Sequence, residues 1–343
     1  MARIWIALAL VLGACATDER GTLLPPGSRS AIAEEKFVRI GGIEQWVSIR
    51  GADTRNPVIV VVHGGPAVAN SSLPGPYRAW EGNFTVVQWD QRGAGKTFGR
   101  NGKSTPDVTA ERIAEDGIEV AQYSRHRLDK QKVILLGHSW GSLLGVTMIR
   151  KRPDLFSAYV GTGQVVSFAR ATKAQYGDLV RRAGAEGNQD ALLKLHDIGP
   201  PPYEMGPKFF ELQAWNDRYL PRADADYLHT MVDMVRAAPK STPQDTQSWI
   251  DGRQFSMRLL SGAVLAADLP AAEGYEMPVP FFIIQGSEDR ITPTALVEDY
   301  FQHIQAPRKA MALISGAGHF AYATHGEAFL AALEKFVARD SLP

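Results

Sequence analysis

Val58-Ile59-Val60-Val61-Val62 is an unbroken run of β-branched residues, and it restricts the chain to folds in which a strand is covered on both faces. A strand with one wet face would alternate apolar and polar positions. Further strands are predicted at residues 84–89, 132–136, 158–166, 279–285 and 309–314. Helical stretches stand between or after them at about 109–128, 142–150, 294–304 and 327–338. This alternation predicts an α/β fold with a mostly parallel central sheet flanked by helices, receiving ligands at the carboxyl ends of its strands. Residues 37–40 and 44–50 around Gly41-Gly42 predict an antiparallel hairpin at one edge. From 167 to 267 the rhythm breaks into amphipathic helical pieces punctuated by Pro200-Pro201-Pro202, Pro221, Pro239 and Pro243. That segment reads as a helical cap inserted into a core made of residues 34–166 and 268–343.

Lys plus Arg and Asp plus Glu balance at 37 each, which leaves no basic footprint for nucleic acid and no polybasic stripe for an anionic membrane. The expected partner is a small molecule or short peptide, and nothing in the sequence sets an oligomeric state. A single cysteine excludes an intramolecular disulfide and any zinc site built from cysteine pairs. Met1-Ala2-Arg3 followed by an apolar stretch from Ile4 to Leu12 has the form of a secretory signal, too short to span a bilayer. Its end, Leu12-Gly13-Ala14-Cys15, resembles the lipobox of bacterial lipoproteins. That resemblance implies cleavage before Cys15, which is left as an acylated N-terminus, and an exported, envelope-tethered protein. Residues 16–33 read as a flexible tether.

Gly137-His138-Ser139-Trp140-Gly141 lies between a predicted strand and a predicted helix, the context of a nucleophile elbow. Small flanking residues let strand and helix approach, and the helix N-terminus faces the oxyanion formed on attack. A serine hydroxyl needs a base to take its proton and a carboxylate to orient that base. The strand at 279–285 runs into Gly286-Ser287-Glu288-Asp289, and the strand at 309–314 into Ser315-Gly316-Ala317-Gly318-His319. Both loops fall on the same sheet edge as Ser139. Of the eight histidines, His126 and His303 lie in helices and His196 and His229 in the cap. His319 is the expected base, with His325 as substitute. The acid is Glu288 or Asp289. His63-Gly64-Gly65-Pro66 follows the buried run, where the Gly65 amide joins that of Trp140 as an expected oxyanion hole. Gly93-Ala94-Gly95-Lys96-Thr97 does not make a phosphate loop, because Asp90 stands where that pattern needs glycine. Neither a cofactor nor a metal is expected.

His63-Gly64-Gly65-Pro66, Trp89-Asp90-Gln91-Arg92-Gly93-Ala94-Gly95-Lys96, Gly137-His138-Ser139-Trp140-Gly141-Ser142 and Gly318-His319 together resemble the proline iminopeptidase branch of the α/β-hydrolases. The resemblance implies that fold with its inserted cap, Asp289 rather than Glu288 as the acid, and removal of N-terminal residues, often proline, from short peptides. The chain departs from the family at Ala67 and His138, where glycine is common. Recognising a free ammonium calls for carboxylates facing the serine, and Glu204, Glu211 and Asp217 are candidates in the cap, near Tyr203, Phe209, Phe210 and Trp215. An ester or amide hydrolase and a non-catalytic envelope binding protein remain the alternatives.

Overall fold

The computed structural model describes residues 31–337; the signal, the tether up to residue 30 and Cys15 lie outside them. Eight strands form one sheet in the order β1-β2-β4-β3-β5-β6-β7-β8. They are β1 Ile32–Ile40, β2 Ile43–Gly51, β3 Val58–Val62, β4 Thr85–Trp89, β5 Val133–His138, β6 Phe156–Thr162, β7 Phe281–Gly286 and β8 Lys309–Ile314. β2 is antiparallel to both β1 and β4, and every later pairing is parallel. The β-branched run behaves as its composition dictates. Val58, Val60 and Val62 pack into one core layer and Ile59 and Val61 into the other, so helices must cover both faces.

Three α-helices lie between β4 and β6: α1 Gly95–Asn101, α2 Ala110–Leu128 and α3 Trp140–Lys151. The cap comprises α4 Phe168–Ala185, α5 Gln189–Ile198, α6 Pro207–Asp217, α7 Arg222–Ala237 and α8 Pro243–Leu265. α9 Leu269–Glu273, α10 Thr294–His303, α11 Ala321–Thr324 and α12 Gly326–Val337 return to the core. Backbone bonds from Phe168 N to Ala267 O (2.8 Å) and Leu269 N to Val166 O (2.7 Å) zip the two ends of the insertion together. Leu179, Ala183, Leu195, Ile198 and Leu212 give the cap its own small core. Among the described residues no helix is long and apolar enough to cross a membrane.

Several boundaries differ from the sequence pattern. β1 begins at Ile32, inside the expected tether, because it pairs with β2 along its whole length from Ile32 opposite Gly51; the stretch Ala33-Glu34-Glu35-Lys36 that follows carries no apolar alternation. β6 stops at Thr162 instead of residue 166, where Gly163 takes a φ of 52° that breaks an extended strand. α3 starts at Trp140 directly after Ser139, two residues earlier than predicted.

Candidate active site

Ser139 sits in the turn between β5 and α3 with φ 53° and ψ −122°, a strained conformation for a residue with a side chain. The glycines around it explain how the turn closes. A Cβ on Gly137 would lie 2.6 Å from Gly141 O, and one on Gly141 would lie 2.0 Å from Val62 O. The elbow is thus wedged against β3, with no space for a side chain on either flank.

Asp289 and His319 are held on the loops after β7 and β8, and both are buried. His319 Nδ1 lies 2.9 Å from Asp289 Oδ2. The other neighbours of that carboxylate are donors: Gln285 Nε2 (2.8 Å) and Thr292 Oγ1 (2.7 Å) on Oδ2, and the amides of Ile291 and Thr292 (both 2.9 Å) on Oδ1. An ionised carboxylate only accepts, so His319 presents Nδ1–H to it and keeps the Nε2 lone pair free. Gln285 Oε1 accepts from the Gln164 amide at 3.1 Å, and the Gln164 side chain donates to Ser142 Oγ at 3.1 Å. Ser142 Oγ in turn donates to Ser139 O at 2.6 Å. A continuous buried chain of hydrogen bonds therefore couples the acid loop to the serine turn.

His138 fills the space beside the base. Its ring centroid is 4.9 Å from that of His319, and its Nε2 donates to the His319 carbonyl at 3.2 Å. Burial, and then the nearby His319, push its pKa well below the ordinary histidine value, so it stays neutral. Gly163 packs against both rings.

Gly65 and Trp140 line the same cavity as Ser139. The Trp140 amide opens α3, where unsatisfied N–H groups and the helix dipole favour negative charge. Gly65 has φ 124°, and a Cβ there would lie 2.5 Å from Ala67 N. His63 fixes this turn: Gln91 N donates to its Nε2 at 3.1 Å, its Nδ1 donates to Gly64 O at 2.9 Å, and Gln91 Nε2 donates to its carbonyl at 2.9 Å. Burial lowers the His63 pKa to about 4, so the ring keeps the one tautomer that makes these bonds. The His-Gly-Gly and Asp-Gln-Arg-Gly segments are two halves of one support. Ala67 adopts φ 63°, which gives the physical reason for glycine at that place in the resembling family.

The glycine-rich segment after β4 is structural. Asp90 accepts from Ser71 Oγ (2.5 Å) and Lys96 N (2.8 Å), burial raising its pKa to about 6. Lys96 places its ammonium over the Trp46 ring at 4.4 Å.

The cavity above Ser139 measures about 200 Å³ and is walled by Leu143, Val165, Phe168, Phe209, Met257 and Ile291 among others. Its polar lining consists of uncharged groups: among the described residues no Asp, Glu, Lys, Arg or His lines it. The cap carboxylates offered by the sequence as candidates stand elsewhere. Glu204 and Glu211 are exposed, and Asp217 is half-buried, its carboxyl raised by desolvation against the opposing pull of His229. Phe209 and Phe210 do line the cavity, whereas Tyr203 bonds Gly199 O and Trp215 lies under Arg218. Sequence reasoning missed Asp224, a fully buried cap carboxylate that accepts from Phe320 N at 3.1 Å, next to His319. It also missed Gln164 and Gln285; each is a polar residue closing an apolar strand region, a signal readable in Phe281-Phe282-Ile283-Ile284-Gln285. No group of three or more His, Cys, Asp or Glu among the described residues could hold a metal.

Comparison with known proteins agrees with this architecture. Residues 53–323 match the family described as Serine aminopeptidase, S33. A protein of Bacillus subtilis named "Probable aminopeptidase YbaC" is 28% identical over 301 residues, covering 85% of this chain and 92% of that one. A protein of Streptomyces coelicolor named "Probable proline iminopeptidase" is 26% identical over 298 residues, covering 81% and 87%. The crystal structure of a proline iminopeptidase-related protein from Thermus thermophilus superimposes with a TM-score of 0.62 at 19% identity, covering 90% of this chain and 98% of that one. The fold is that of the α/β-hydrolases, and the chain belongs to the serine aminopeptidase family.

Proposed function

We propose that the chain is a serine hydrolase that removes a small, apolar N-terminal residue from short peptides through an acyl-enzyme on Ser139. The observation that carries this reading is the buried Asp289–His319 pair behind an apolar cavity that opens on Ser139 and Gly65. In the proposed cycle His319 Nε2 takes the Ser139 proton as Oγ attacks the scissile carbonyl. The amides of Gly65 and Trp140 receive the oxyanion, His319 returns the proton to the departing amine, and water releases the acyl group by the same steps in reverse. Export and acylation of Cys15 belong to the same proposal and would keep the enzyme at the cell envelope.

A second reading, hydrolysis of small uncharged esters or amides, is favoured by the absence of carboxylates from the described cavity lining. Purified protein lacking residues 1–20 separates the two on prolyl and other aminoacyl arylamides, N-blocked arylamides and short acyl esters. Preference for the free amine supports the aminopeptidase; ester cleavage without arylamide cleavage replaces it with the esterase.

Gly163→Ala is expected to reduce kcat/KM about 100-fold, the scale of a 1 Å misplacement of catalytic groups. The added Cβ would sit 2.7 Å from His319 Cε1 and 3.2 Å from His138 Cδ2, at a φ of 52°. Kinetics on a folded variant check this, and activity within threefold of the parent would show that His319 has room to adjust.

A further inference from the structure

Two carboxamides run along the wall between the cap and the acid loop, and the first fixes the orientation of the second. Gln175 on α4 is buried, and its Nε2 lies 3.0 Å from the Arg290 carbonyl and 3.1 Å from the Ile291 carbonyl. Carbonyl oxygens only accept, so Gln175 must turn its NH₂ toward them. Its Oε1 then faces Gln213 on α6, whose Nε2 donates to it at 3.0 Å. Gln213 Oε1 is left without a partner among the described residues, on a side chain that lines the cavity together with Ser139. Two backbone carbonyls of the loop that carries Asp289 thereby dictate that the cap presents an acceptor to the substrate.

The charges around this acceptor are already engaged or face elsewhere. Asp178 on α4 pairs with Arg290 at 2.7 Å and with Arg181 and Arg182 at 2.8 Å each. Glu211 and Asp217 belong to α6 but do not line the cavity, and Arg253 and Arg258 on α8 line a neighbouring groove. At the base, His319 is paired with Asp289. An ammonium entering the cavity would lose its water with no anion in the described lining to replace it, which is costly. A neutral amine loses little and donates its N–H to an amide oxygen.

We propose that Gln213 is the substrate-recognition residue of this site, and that its Oε1 accepts a hydrogen bond from the uncharged α-amine of the N-terminal residue. The inference rests on the aminopeptidase reading above and narrows its substrate to the unprotonated form. Peptide α-amines titrate near about 8, so selection of the neutral form has a signature that simple pocket filling lacks.

The test uses alanyl, lactyl and propionyl 4-nitroanilides, which differ only in carrying an amine, a hydroxyl or no donor on the acyl group. All three meet the same enzyme groups, so any pH dependence of the enzyme itself cancels in the alanyl-to-lactyl ratio of kcat/KM, which isolates the amine. This ratio is expected to rise about tenfold per pH unit up to about pH 8 and then level off. A ratio that is flat, or that falls as the amine deprotonates, overturns the proposal. Gln213→Met is expected to lower the alanyl-to-propionyl and lactyl-to-propionyl ratios about tenfold or more. Unchanged ratios in the variant, with alanyl anilide still cleaved by the parent, overturn the Gln213 assignment and leave the aminopeptidase reading standing. Cleavage of propionyl but not alanyl anilide by the parent at every pH removes both.

Discussion

Ser139→Ala is expected to lower kcat by about 10⁶-fold, leaving only what cavity binding and the oxyanion donors contribute, while the melting temperature changes by no more than a few degrees. The size of the loss follows from the way the site is coupled. Asp289 accepts from Gln285, Thr292 and two backbone amides as well as from His319, so the acid and base remain in place when the hydroxyl is gone. What disappears is the hydroxyl proposed as the nucleophile. Adding His319→Ala to the serine variant is therefore expected to cost little more, because groups that act as one unit do not contribute additively. Turnover of an aminoacyl arylamide and labelling by a fluorophosphonate, measured beside circular dichroism, check both statements. Undiminished turnover by the folded Ser139→Ala protein would falsify the assignment of the nucleophile, and strong additivity in the double variant would show that His319 acts apart from it.

The sheet, and the strand ends that carry Ser139, Asp289 and His319, were legible because each leaves a local mark. β3, β5 and β7 are apolar runs that stop abruptly at glycine or polar residues, and ligands of such sheets gather where the strands end. The Gly-x-Ser-x-Gly spacing likewise records a steric fact, since both flanking glycines abut backbone. The substrate side of the site was much less legible. α6 carries apolar residues on several sides, with Phe209 and Gln213 on the cavity and Leu212 in the cap core. No periodicity therefore tells which face meets the serine, and Glu211 proved to be on the solvent side. The carboxamide chain was hidden for a different reason. Gln175, Gln213 and the Arg290 carbonyl are distant in sequence, and a glutamine has no meaning as an acceptor until its partners determine which way it faces. β1 was read too short because its first residues are held by pairing with β2 instead of by burial.

Arg92→Leu is expected to destabilise the protein by about 3–5 kcal/mol, the cost of leaving one partner of a buried ion pair uncompensated. Arg92 is 1% exposed and the Asp116 side chain 0%. The guanidinium reaches Asp116 Oδ2 at 2.8 Å and Oδ1 at 3.1 Å, the Pro106 carbonyl at 2.9 Å and the Gly41 carbonyl at 2.7 Å. One side chain thus ties α2, the loop before it and the β1–β2 turn to the segment that leaves β4. Leucine would strand two carbonyls and leave Asp116 with Arg112, whose Nε lies 2.9 Å from Oδ1. At the two to four degrees per kcal/mol typical of chains of about 150–250 residues, the melting temperature is expected to fall by about 10 °C. Changing both partners, Arg92→Met with Asp116→Leu, is expected to recover much of that loss, because the burial penalty of both charges disappears with them. Thermal and denaturant unfolding of the parent and the two variants measure the difference. A loss below about 1 kcal/mol for Arg92→Leu would mean that Arg112 alone neutralises Asp116. The Asp-Gln-Arg-Gly segment would then matter to this fold chiefly through Gln91 and its hold on His63.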